Sequence, residues 1–115
     1  MIELKGPQGE TMMIQTLSPA SIMEINNVKD LYSPVTVVIH DSGPGDGRIL
    51  VECCGSAWGY HFKGLPKGPL AQFLASMDKG YIYHKLHRSR QSRAETELLV
   101  AVVSAVYVAL RQQVA

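Results

Sequence analysis

The sequence predicts an α+β fold: a meander of three or four antiparallel strands packed against helices, ending in a long apolar C-terminal helix. Three observations predict it. Residues 34–40, 48–54 and 57–62 are strand-like runs separated by Gly-rich punctuation. Residues 69–77 place Leu70, Phe73, Leu74 and Met77 at i, i+3, i+4 and i+7, one face of a helix. Residues 98–110, LLVAVVSAVYVAL, are apolar except at Ser104 and the Tyr107 hydroxyl. With 115 residues, the chain reads as a single domain, 1–115.

Taken in order, residues 1–10 read as a flexible or edge segment, and 11–17 (TMMIQTL) as a short strand interrupted by Ser18-Pro19. Residues 20–32 suit either a short helix face or a strand; the Asn26-Asn27 turn signal favours a strand over Ile22–Ile25. The β-branched run 34–40 follows. The segment Asp41–Gly47 supplies Gly, Pro and Asp for a hairpin loop back into 48–54. Gly55-Ser56 turns the chain into 57–62, where Trp58, Tyr60 and Phe62 share one face by period two. A second punctuated loop, 64–69, delivers Pro69 to the first turn of the 69–77 helix. A further short helix is expected over 81–88 with Tyr81, Ile82 and Leu86 inward, and a last helix over 93–113.

That last helix carries the strongest expectation. At 1.5 Å per residue its apolar stretch is roughly 20 Å long, too short to span a bilayer. A helix apolar all round needs cover all round, and one small sheet covers one side. The sequence therefore predicts a homodimer, with Leu99, Val103, Val106 and Leu110 at the interface. No membrane partner is expected. The first residues lack the apolar core of a signal peptide, which points to the cytoplasm of the host cell.

The net charge of +1 hides an asymmetry. Residues 1–62 carry a balance of −4, residues 63–93 of +6 and residues 94–115 of −1. Such a basic middle segment can steer a polyanion or an acidic protein. Within it Lys79, Tyr83, Lys85, Arg88, Arg90 and Arg93 are the candidate contacts for a partner or a nucleic acid, and Trp58, Tyr60 and Phe62 a candidate aromatic platform.

No catalytic constellation stands out, and the chain reads as a non-enzyme without metal or cofactor. Gly43–Gly47 resembles a phosphate loop but lacks the Lys-Ser/Thr that opens a P-loop helix, and it precedes a strand. His84 and His87 have helical spacing for one ion, and His40 with Asp41, or His61, could complete a site, but the sequence gives no reason to bring them together. Cys53 and Cys54 read as reduced thiols on opposite faces of a strand, where only one of them can approach His61.

Several motifs together resemble a known family. They are Asn27-Val28 with Leu31, Pro34–Val37, Gly43-Pro44-Gly45-Asp46-Gly47-Arg48, Ala57–Tyr60, and Phe73-Leu74 followed by Tyr81 and Lys85-Leu86. Over roughly residues 25–86 the chain is similar to small accessory proteins encoded in phages and prophages of enterobacteria and their relatives. It departs from them in its Lys63–Gly68 loop and in the apolarity of its last helix. The resemblance implies a mobile-element accessory protein, a class rich in inhibitors of host machinery, anti-CRISPR and other anti-defence proteins among them. Two functions are expected on that basis. One is a non-enzymatic inhibitor of a host protein or ribonucleoprotein complex, using the basic segment or the acidic 41–52 hairpin. The alternative is a small protein binding nucleic acid non-specifically through Lys85, Arg88, Arg90 and Arg93.

Overall fold

A computed structural model describes residues 2–15, 17, 20–66 and 68–114; the Ser18-Pro19 break and Lys67 of the second loop lie outside them. The chain is α+β, with strands β1 (Ile2–Lys5), β2 (Thr11–Ile14), β3 (Ser21–Ile25), β4 (Val35–Gly43), β5 (Asp46–Cys53) and β6 (Ser56–Phe62). Helices α1 (Leu70–Ser76), α2 (Lys79–Leu86) and α3 (Arg93–Val114) follow. Strands β3 to β6 form the expected antiparallel meander in the order β3-β4-β5-β6. The 20–32 segment resolves in favour of a strand.

Residues 2–5 are not a loose end. They pair with β2 in a separate two-stranded ribbon, Ile2 opposite Ile14 and Lys5 opposite Thr11. Both strands of this ribbon are exposed along their length, so it stands off the four-stranded sheet and its helices.

The inner face of the four-stranded sheet follows from period two. Val35, Val37 and Ile39 of β4, Ile49, Val51 and Cys53 of β5, and Trp58 and Phe62 of β6 are all buried. Leu70, Leu74, Ile82 and Leu86 complete this core from α1 and α2. From α3 come Leu99, Val102, Val103, Val106 and Leu110, spaced i, i+3, i+4, i+7 and i+11 along one stripe.

That stripe corrects the predicted interface. Leu99, Val103, Val106 and Leu110 are occupied inside the protomer, so they are not available to a second copy. One sheet and two helices bury one flank of α3, while Val100 (52% exposed) and Val108 (57%) remain on the outer flank.

The helix ends have local causes. Ser92 and Glu95 form a capping box on α3: the Glu95 N–H donates to Ser92 Oγ (3.1 Å) and the Ser92 N–H donates to Glu95 Oε1 (3.3 Å). Asp78 caps α2 by accepting from the Tyr81 N–H at 2.9 Å. Helix α1 has no cap from its own neighbour Pro69; instead Asp41, on β4, accepts from the Leu70 N–H at 2.7 Å.

The glycine segment is tighter than a loop of seven residues. Pairing continues through Asp41 opposite Gly47 and Gly43 opposite Asp46, with a bulge between Asp41 and Gly43. Gly45 turns the chain at φ +71° and accepts a hydrogen bond from the Leu65 N–H at 3.1 Å. The Gly43–Gly47 hairpin and the 63–69 loop are thereby fastened to each other.

Candidate functional site

The basic segment falls on α2 and on the link to α3, and the sequence-predicted cations there have different fates. Arg88 reaches back to the sheet: one guanidinium nitrogen donates to the Ala57 carbonyl at 3.0 Å, and another to Glu95 at 2.7 Å. Its guanidinium carbon lies 5.5 Å from the centre of a Trp58 ring. Lys85 Nζ lies 5.1 Å from the Tyr60 ring centre and 5.5 Å from that of Tyr81. Arg93 pairs with Glu97 one turn along α3 at 3.2 Å. Among the described residues, Lys79 and Arg90 are exposed and make no ion pair.

The aromatic platform is also corrected. Trp58 and Phe62 share a face with Tyr60, as period two requires, but that face is the inner one, covered by the helices. Phe62 packs among Tyr60, Phe73 and Tyr81 with ring centres 4.8, 6.5 and 6.3 Å away. Trp58 donates its indole N–H to Gln91 Oε1 at 3.1 Å. Only Tyr60 reaches the surface, and Lys85 lies over it.

Gln91 is the residue that sequence reasoning missed. Its side-chain oxygen also accepts from the Arg88 N–H at 3.2 Å, and its amide nitrogen donates to Thr96 Oγ1 at 3.0 Å. With Arg88 it bolts the α2–α3 junction to the sheet edge. Nothing in local sequence marks it, because the partner that ties it to the sheet, Trp58, is 33 residues upstream.

The thiols are not on opposite faces. Cys54 leaves the strand and sits in the two-residue turn at φ 55°, which brings its Sγ to 3.4 Å from that of Cys53. Burial first, then the neighbouring Cys54, pushes the Cys53 thiol up to about 12, so it stays protonated. His61 stands opposite Arg48, not beside either cysteine, and is bonded to Asp46. That hydrogen bond holds the Asp46 carboxyl below its ordinary range. His84 meets the Tyr83 ring edge-on, and no group of three or more His, Cys, Asp or Glu among the described residues could hold a metal ion.

What the two last helices do present is a groove. Lys79, Gly80 and Tyr83 of α2 and Val100, Val103 and Ser104 of α3 line a concavity of about 180 Å³. Its rim carries the unpaired Lys79 ammonium and the exposed Val100 side chain; its floor is Val103. Such a site suits an apolar side chain flanked by carboxylates. Among the described residues, no helix is long and apolar enough to cross a membrane.

A model of a phage protein family matches residues 12–113, nearly the whole chain and more than the 25–86 span read from the motifs. No curated protein and no solved structure matches it.

Proposed function

Since the chain belongs to this phage family, we propose that it is a phage-encoded, non-enzymatic binding protein that inhibits a bacterial host complex, with anti-phage defence complexes, CRISPR among them, as the favoured class. The α2–α3 groove is its contact, and the partner offers an apolar side chain with acidic neighbours.

One observation carries the choice of a protein partner over nucleic acid. Three cations of the basic segment, Lys85, Arg88 and Arg93, are engaged with rings, a carbonyl and carboxylates of the same chain. Affinity for a polyanion grows with the number of phosphates neutralised, and a cation already facing Glu95 or Glu97 contributes little to that count. An apolar concavity with a single charged rim is instead the pattern of a protein hot spot.

The test is affinity capture from host lysate with and without nuclease, comparing the natural chain with the double variant Val100→Asp, Lys79→Glu. Both positions are exposed, so the fold is retained. A captured complex that survives nuclease and is lost in the variant is the expected result. Capture that vanishes with nuclease, or that the variant leaves intact, refutes the reading.

A further inference from the structure

The sheet has a second face that no helix covers. Register places Ile22, Val38, Leu50 and Gly59 side by side across all four strands on it. Ile22 is 73% exposed and Leu50 54%. A Cβ at Gly59 would meet Leu50 Cδ2 at 2.6 Å, so Leu50 lies across the bare backbone there. Beside this row, a shallow depression of about 360 Å³ is lined by Thr36, Val38, Leu50, Ala57 and Gly59, with Arg88 at its edge.

Charge is arranged about the row with a definite symmetry. On β5, Arg48 and Glu52 share Leu50's face, one on each side of it, by period two. On Arg48's side lie His40 and the His61–Asp46 pair; on Glu52's side lies Glu24, with the Arg88–Glu95 pair at the β6 edge. Glu52 also accepts from the Gly55 N–H at 3.2 Å.

We propose that this open face docks a second copy of the same chain, about a two-fold axis running along the apolar row. Rotation about that axis keeps each residue of the row over its own counterpart and exchanges the two ends of every strand. Arg48 then faces the partner's Glu52, and Glu52 faces the partner's Arg48. This reciprocity is the property an isologous interface requires. An axis along the strands makes no such pair: over β5 it sets arginine on arginine and glutamate on glutamate, and between β4 and β5 it sets Arg48 against the β4 position of His40 and Glu52 against that of Thr36, so charge selects the first arrangement. The helices point outward on both copies, which leaves both α2–α3 grooves open and makes the dimer bivalent.

The size of the face sets the strength. Four strands about 4.8 Å apart and about six residues long present roughly 400 Å² in projection. That is below the ~800 Å² per partner of a standard stable interface, so the dimer belongs to the weak, reversible class.

The experiment is analytical ultracentrifugation of the full chain across the micromolar range, at about 50 and about 500 mM salt. The natural chain is expected to dimerise and to weaken with salt. Leu50→Glu is expected to be monomeric with an unchanged thermal midpoint. Arg48→Glu and Glu52→Arg should each weaken self-association about tenfold or more, because each sets like charges opposite one another. Mixing those two variants should restore association as a heterodimer, since one then offers two glutamates and the other two arginines. A monomer throughout the range, a dimer indifferent to Leu50→Glu, or a mixture that fails to associate would overturn the proposal. None of these outcomes bears on whether a host protein is captured at the groove, so the two proposals fail separately.

Discussion

Val106→Asp is expected to unfold the protomer. Val106 lies in the middle of the buried stripe of α3, with no exposed surface, among Leu74, Leu99, Val103 and other members of one apolar core. Burying a carboxylate there without a partner costs on the order of 4–5 kcal/mol or more, whether it stays ionised or takes up a proton. A domain of this size has only ~5–15 kcal/mol to lose. The same substitution at Val108, two residues on and about half a turn round the helix on the solvent flank, should leave the melting curve nearly unchanged. Thermal unfolding followed by circular dichroism distinguishes the two. If Val106→Asp melted normally and only dissociated an oligomer, the stripe would be an intersubunit surface after all.

Gly45→Ala should be the most damaging of the glycine substitutions in the β4–β5 hairpin. The position combines two independent costs. Its φ of +71° is in the left-handed region, where a Cβ costs about 1–2 kcal/mol. A Cβ there would also stand 2.4 Å from the Leu65 carbonyl oxygen, which is backbone and cannot rotate away. Relieving that contact means parting the two loops and losing the Leu65 N–H to Gly45 bond. Together these predict a loss of about 2–4 kcal/mol, or a drop in midpoint of roughly 10 °C or more. Gly43→Ala is the matched control: nothing lies within 4 Å of its Cβ position, and its φ is not positive. Equal midpoints for the two variants would remove the loop-to-loop fastening from this account.

These two predictions also mark where the sequence was legible. The strands of the meander could be read because β-branched alternation and turn residues coincide over 34–62. The helices could be read because Leu70, Phe73, Leu74 and Met77 keep helical spacing and residues 98–110 form a nearly unbroken apolar run. The sidedness of α3 could not be read. Val100 and Val108 are chemically identical to Val102 and Val106, and only the sheet decides which pair faces water. The pairing of residues 2–5 was equally hidden, because four residues without a clear pattern specify no partner. The partners of the basic segment were hidden for a related reason. A run of cations in sequence says nothing of the carbonyl, ring and carboxylates that long-range packing places against Arg88 and Lys85. Trp58 and Phe62 were placed on the correct common face, but period two cannot say whether that face looks inward or outward.

The claim on which the rest depends is that Lys85, Arg88 and Arg93 serve the protein's own architecture and do not form a site for a polyanion. Fluorescence anisotropy with a labelled oligonucleotide, single- and double-stranded, tests it most directly at about 50 and about 200 mM salt. The account predicts at most weak association at the lower salt, unchanged when Arg90 is replaced by Glu. Tight binding that falls steeply with salt and is abolished by Arg90→Glu would contradict it.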